Sequence, residues 1–304
     1  MFFVGNLVVK SNAFIGASYG LGVVEQRLIF LAILKAREND SISENIGKKL
    51  TIHASDYMTH FGVDRATAYE SLKNAVNGLY ESEYRYIEIL PTGDKKTHRY
   101  RFVSSIAYTD GLGQVEFTFT PETVPMIVGL SENFTKYEIG QVAKLSSQYA
   151  LRLYELLAQW RATGKYTIDL AELRFKFGLL DDEYPRMDNF KRWVLDRSIK
   201  EINEHTDLAV SYEQHKRGRV ITAFTFIIKH KNTKQGEISQ NNIKMTDKQC
   251  KFFAAKLSRL EECSHLPGSQ ESYDALAKFI EKDLLKADKA NFYAPLLEKV
   301  GFKM

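Results

Sequence analysis

The stretch from Thr167 to Lys229 reads T-I-D-L-A-E-L-R-F-K-F-G-L-L-D-D-E-Y-P-R-M-D-N-F-K-R-W-V-L-D-R-S-I-K-E-I-N-E-H-T-D-L-A-V-S-Y-E-Q-H-K-R-G-R-V-I-T-A-F-T-F-I-I-K. Its patterning predicts a short strand at Thr167 and Ile168, a short helix from Leu170 to Phe177, a turn at Gly178 and a longer helix from about Asp188 to Asn203. In the longer helix, Phe190, Val194, Leu195, Ile199 and Ile202 recur at helical spacing and form the buried stripe. Asn189, Arg192, Asp196, Lys200 and Asn203 then face outward. Cations near the N-terminal end, Lys191 and Arg192, suit a helix whose first turns meet base edges in a major groove. Two alternating strands follow, Leu208 to His215 and Arg219 to Lys229, around a Lys216-Arg217-Gly218 tip. Glycine permits the tight turn, and the cations flanking it suit phosphate. Strand, helix, turn, helix and hairpin in this order predict a winged helix-turn-helix.

Working outward, T-I-H-A-S-D-Y-M-T-H-F-G-V at Thr51 to Val63 aligns with the start of that stretch. Thr51 falls on Thr167, Ile52 on Ile168, Phe61 on Phe177 and Gly62 on Gly178. A long helix precedes each copy, and a second helix and strands follow it, which indicates an internal duplication. In the first copy the second helix is expected from about Asp64, its N-cap, to Tyr80, with Ala68, Leu72, Ala75, Val76 and Leu79 buried. A hairpin is expected from Tyr84 to Leu90 and Thr97 to Tyr108, with Lys95, Lys96, Arg99 and Arg101 near its tip, then a strand from Gln114 to Thr120 and a short helix from Glu122 to Leu130. The second copy opens with an amphipathic helix from Ser146 to Trp160.

The resulting fold class is α+β, two tandem winged-helix domains with a helical C-terminal tail. The expected divisions are an N-terminal arm (1–22), winged-helix domain 1 (23–130), a connector (131–145), winged-helix domain 2 (146–231), a polar linker (232–245) and a helical region (246–304) that carries no chemical motif.

The chain has 304 residues, ample for two domains and a tail, and a net charge of only +4. Any polyanion site must therefore come from local placement of Lys and Arg and not from the field of the whole molecule. No apolar run is long enough to span a bilayer, and the N-terminus lacks the features of a signal peptide. Two cysteines, Cys250 and Cys263, fit reduced thiols in a cytoplasmic protein. No metal ligand set, cofactor motif or catalytic group is expected. A DNA-nicking enzyme of the rolling-circle type would place a Tyr nucleophile beside a His-apolar-His metal pair. None of the seven His (His53, His60, His98, His205, His215, His230, His265) stands in such a pair, and no phosphate-binding G-x-x-x-x-G-K-[ST] loop occurs.

Three separated blocks, S-S-Q-Y-A-L-R-L-Y-E-L-L from Ser146, R-M-D-N-F-K-R-W-V-L-D-R-S-I-K-E-I-N-E-H-T-D-L from Arg186 and Y-E-Q-H-K-R-G-R-V-I-T-A-F-T-F from Tyr212, resemble the replication initiator (Rep) proteins of iteron-containing plasmids. So do N-L-V-V-K-S-N-A from Asn6 and V-V-E-Q-R-L-I-F-L-A-I from Val23. The resemblance covers roughly Asn6 to Lys229 and leaves the tail outside. It implies monomers that bind directly repeated origin DNA through both domains, help to open it and recruit a host initiator and replicative helicase. It also implies dimers, joined through domain 1, that bind an inverted repeat and repress their own gene. Carried over to this sequence, the DNA-binding residues are Arg186, Lys191 and Arg192 on the second recognition helix and Lys216, Arg217 and Arg219 on its wing, with Asn189 and Lys200 on the same outward face. Trp193 stands where some relatives have another cation. In the first module the corresponding residues are Arg65, Thr67 and Lys73. Two other readings remain from sequence alone: a transcription repressor with no part in initiation, and a winged-helix scaffold that would tolerate loss of these cations.

Overall fold

The computed structural model describes residues 6–38, 41–231, 245–260 and 272–285, together with Tyr293, Leu296, Leu297, Val300 and Phe302. Residues Met1–Lys231 form one unit and Asn232–Met304 a second. In the first unit, β1 (Leu7–Ser11) and α1 (Asn12–Gly16) lead into α2 (Val23–Ala36), α3 (Ile42–Asn45), β2 (Lys49–His53), α4 (Ala54–Phe61) and α5 (Arg65–Glu81). Next come β3 (Glu83–Ile89), β4 (Lys95–Arg101), β5 (Val103–Thr109), β6 (Gln114–Phe119) and β7 (Phe134–Glu138). The second module contains α6 (Gln148–Ala158), β8 (Lys165–Asp169), α7 (Leu170–Lys176), α8 (Met187–Asn189), a π-helical turn (Phe190–Asp196), α9 (Arg197–His205), β9 (Leu208–Arg217) and β10 (Val220–His230).

The duplication inferred from four residue pairs is present in the backbone. Thr51 and Thr167 are each the middle residue of a five-residue strand, and Ile52 and Ile168 are each turned into the core. Both strands pair antiparallel with the last strand of their module, giving sheet orders β2-β6-β5 and β8-β10-β9. Gly62 and Gly178 end their helices at φ +65° and +68°. That left-handed conformation is strained for any residue carrying a Cβ.

This topology corrects the expected first wing. The strand expected from Thr97 to Tyr108 breaks at Phe102, whose ring is buried against Phe14, Tyr19 and Tyr84. The break hands the chain from one sheet to another: β3 pairs only with β4, while β5 pairs with β6. The wing equivalent to β9–β10 is therefore β5–β6, closed at Asp110–Leu112, and the cation-rich β3–β4 hairpin is an insertion ahead of it. The helix expected from Glu122 to Leu130 shrinks to a 3-10 turn at Val124–Met126, which contains Pro125 and so lacks one backbone donor. Within the expected arm, β1 pairs antiparallel with β7 along its whole length, and Val8 and Val9 enter the core.

In the second recognition helix the backbone stays helical from Met187 to His205, although Phe190–Asp196 is wound as π-helix. The expected stripe is buried: Phe190, Val194, Leu195, Ile199 and Ile202. Ser198 Oγ donates to the Val194 carbonyl at 2.5 Å, which satisfies an acceptor in the turn where the hydrogen-bond ladder changes step. At the hairpin tip the register pairs Arg217 with Val220, so Gly218-Arg219 is a two-residue turn one position beyond the expected tip.

The second unit contains α10 (Asp247–Leu257) and α11 (Tyr273–Leu284), packed through Cys250, Phe253, Leu257, Leu276, Ile280 and Leu284. Thr246 caps the first, with Gln249 completing a capping box, and Ser272 caps the second. Residues 232–244 of the expected linker, and Cys263 and most of 286–304 in the expected helical region, lie outside the described residues.

Candidate nucleic-acid interface

The second module gathers its cations on two adjoining elements. Hydrophobic burial of one helical stripe leaves Asn189, Arg192, Trp193, Asp196 and Lys200 exposed on the opposite side. Arg192 makes no ion pair among the described residues; its guanidinium lies 4.9 Å from the Trp193 ring centre. Trp193 is 47% exposed, a large apolar surface in the middle of a polar helix face. Asn189 has no side-chain partner among the described residues, and Lys200 reaches Glu204 only at 4.0 Å. Lys191 is half-buried and turned toward the wing, where its Nζ donates to Gln214 Oε1 at 3.1 Å and lies 6.0 Å from the Tyr212 ring centre. Tyr212 in turn donates to Asp196 Oδ1 at 2.8 Å, and burial, then Asp196, push its phenol well above the ordinary range. These two bonds tie helix and wing into one surface.

Lys216, Arg217 and Arg219 surround the wing tip, exposed and free of ion pairs among the described residues. Arg186 differs, forming a bidentate pair with Asp188 at 2.6 and 3.1 Å. That hydrogen bond holds the Asp188 carboxyl below the usual carboxylate range. The pair is fully exposed, so phosphate could exchange for the carboxylate at little cost.

The first module's three candidates are occupied by local partners. Thr67 is part of the N-cap of α5: its backbone N–H and Oγ1 donate to Asp64 at 3.0 and 2.6 Å. Arg65 lies against Tyr69, 5.2 Å from the ring centre, and donates to its hydroxyl at 3.3 Å. Lys73 Nζ binds Asp110 at 2.8 Å, which joins the recognition helix to the tip of the β5–β6 wing and raises the lysine pKa. The same helix-to-wing connection thus recurs in both modules with different chemistry, and of the candidate residues it is those on the second module's helix and wing tip that include cations with no ion pair among the described residues.

On this fold, residues 7–158 match the model of the first winged helix of initiator replication proteins, and residues 169–228 match the model of the second. The chain belongs to the initiator replication protein family. Among similar proteins, an uncharacterised 27.6 kDa protein of Escherichia coli is 25% identical over 221 residues, 70% of this chain and 92% of that protein. The PI protein of Escherichia coli is 30% identical over 138 residues, 40% of this chain and 45% of its own length. The crystal structure of Pi initiator protein in complex with iteron DNA superimposes with a TM-score of 0.61 at 21% identity, covering 75% of this chain and 98% of that one. At that identity the match establishes the shared fold, two winged helices in tandem. The helical unit after Lys231 lies beyond both matched segments of this initiator.

Among the described residues no helix is long and apolar enough to cross a membrane, and no cluster of three or more His, Cys, Asp or Glu could hold a metal ion. Sequence reasoning placed the recognition-helix cations but passed over Trp193 as a surface feature and missed the Lys73–Asp110 contact, which joins residues 37 positions apart.

Proposed function

We propose that this family member is a plasmid replication initiator that binds directly repeated origin DNA through both winged helices. Residues 146–231 supply the main reading surface, and residues 23–130 supply a second, weaker contact and the dimer interface. As a monomer it helps to open the origin and brings in a host initiator and the replicative helicase. As a dimer it binds an inverted repeat and represses its own gene. The observation that carries this reading is the pairing of an exposed recognition helix, bearing Asn189 and Arg192, with a wing ringed by the uncommitted cations Lys216, Arg217 and Arg219. Helix donors of this kind read base edges, while wing cations hold phosphates and set the register. The Pi initiator protein, of like fold, is bound to iteron DNA in its crystal structure, which supports the same class of ligand here.

Footprinting of the purified protein on DNA upstream of its own gene tests the proposal. Protected direct repeats are expected, with affinity falling steeply as salt rises because each neutralised phosphate releases counterions. A single protected palindrome would assign the protein to repression alone, and salt-independent binding would rule out a phosphate-gripping interface.

A further inference from the structure

Where the two winged helices of the initiator meet, the core contains charge. Glu155, in the first helix of the second module, is wholly buried. One carboxylate oxygen accepts from Lys10 Nζ of β1 at 2.6 Å and from the Tyr137 hydroxyl of β7 at 2.5 Å. The other accepts from the Tyr19 hydroxyl at 3.3 Å and from Arg152 Nη1 at 3.2 Å. Burial alone would raise this carboxyl's pKa, but Lys10 and Arg152 together hold it below the usual range.

Arg152, 1% exposed, extends the connection in both directions. Its Nη2 donates to the carbonyls of Ile15 at 2.9 Å and Ala17 at 2.8 Å, on the segment before α2, and to that of Lys176 at 3.1 Å, at the end of α7. Nη1 also meets the Tyr19 hydroxyl. One guanidinium therefore holds the N-terminal segment against the helix-turn-helix of the second module. The same segment is fastened to the first module, since Ser18 and Arg85 of β3 exchange backbone bonds at 2.7 and 2.9 Å. Gly178, in the second module's turn, lies so close to Tyr19 and Gly20 that a Cβ on it would come within 2.5 Å of backbone.

Apolar residues of equal volume would fill this joint as stably as buried ions do, because desolvation offsets most of the attraction. What charge adds is direction, since each bond fixes an angle as well as a distance. We infer that Arg152 and Glu155 are positioning residues that lock the two recognition helices at one mutual angle, so that the initiator accepts only one spacing between the DNA segments its modules read. The inference rests on the proposed two-module binding.

The test uses the full chain and two duplexes: one repeat identified by footprinting, and the same repeat with one base pair inserted between the segments protected by the two modules. The insertion moves the second segment by about 3.4 Å and about 35° around the axis. Wild-type protein is expected to lose affinity by roughly tenfold or more on the inserted duplex. The triple variant Lys10→Met, Arg152→Met, Glu155→Leu keeps the volume and removes the direction. It should lose less than about threefold on insertion, while its unfolding stays cooperative. Arg152→Lys, which keeps the charge but not the fork that reaches three carbonyls, should fall between the two. Folded variants that reject the inserted duplex as strongly as the wild type would overturn the inference, as would a wild type indifferent to the insertion. Loss of cooperative unfolding in both variants would assign the cluster to stability alone and overturn it equally. A wild-type protein that binds neither duplex in a salt-dependent way would instead defeat the DNA-binding proposal itself.

Discussion

Lys73 of the first module lies 2.8 Å from Asp110 at the tip of its own wing, whereas Lys216, Arg217 and Arg219 surround the second module's wing tip with no ion pair among the described residues. The two modules share a strand order, a left-handed glycine and a helix joined to a wing, yet the first module's three candidate residues each have a side-chain partner, while Arg192 and the wing cations of the second have no ion pair among the described residues. Duplication therefore conserves the backbone while the surface diverges. Phosphate would have to displace those partners at Arg65 and Lys73, which predicts the weaker contact for the first module. The first module instead presents an inserted hairpin, β3–β4, whose base is joined to the segment that reaches the second module.

The glycines at the two matched turns should separate the modules most. Gly178→Ala combines a left-handed backbone with collision against Tyr19 and Gly20, and is expected to cost about 2–5 kcal/mol in urea unfolding. Gly62→Ala meets no atom within 4 Å and should cost only about 1–2 kcal/mol from its backbone conformation. Equal losses would mean that the second turn does not lean on the N-terminal segment.

Next in size is the loss of a reading side chain. Arg192→Ala is expected to weaken binding to origin repeats by about 1–3 kcal/mol in a gel-shift titration, and Arg65→Ala by less than about 1 kcal/mol. A reversal of that order would place the main reading surface in the first module. Smaller effects are expected at the wing: Lys216→Ala, Arg217→Ala or Arg219→Ala should lower affinity for all sequences alike and reduce the salt slope by about one each. Unchanged slopes would remove the wing from the phosphate contacts. The smallest change concerns the pair that occupies Lys73. Asp110→Asn should raise affinity at low salt by roughly twofold, with the gain fading as salt screens the released lysine. A loss of affinity would show that the wing tip needs its carboxylate.

Much of this was legible in the chain, and the reasons are local. The Thr-Ile and Phe-Gly pairs revealed the duplication because a strand start and a left-handed turn each constrain residue type directly. The buried stripe from Phe190 to Ile202 followed from helical period alone, and it held even though part of the helix is π-wound. The first wing was misread because Thr97 to Tyr108 contains no Gly, Pro, Asn or Asp to mark a break, and only burial of Phe102 in a distant aromatic cluster divides it between two sheets. The joint was invisible for a similar reason. Lys10, Arg152 and Glu155 look like ordinary surface charges in sequence, and they become core residues only when β1 pairs with β7 and α6, which carries the last two, packs against that ribbon.

The π-wound turn between Phe190 and Asp196 bears on which change of length the helix tolerates. A helix that already holds a surplus residue can shed it without breaking. Deleting one position there would let the coil tighten to α-helix while the turns on either side keep their facing, because the wide turn already absorbs the extra residue. The hydrophobic anchor behind and the β9–β10 ribbon would stay in place. Loss of one residue there would shorten the exposed face by a side chain without turning Phe190 or Ile199 out of the core, so this is the stretch of the helix where length is most readily changed.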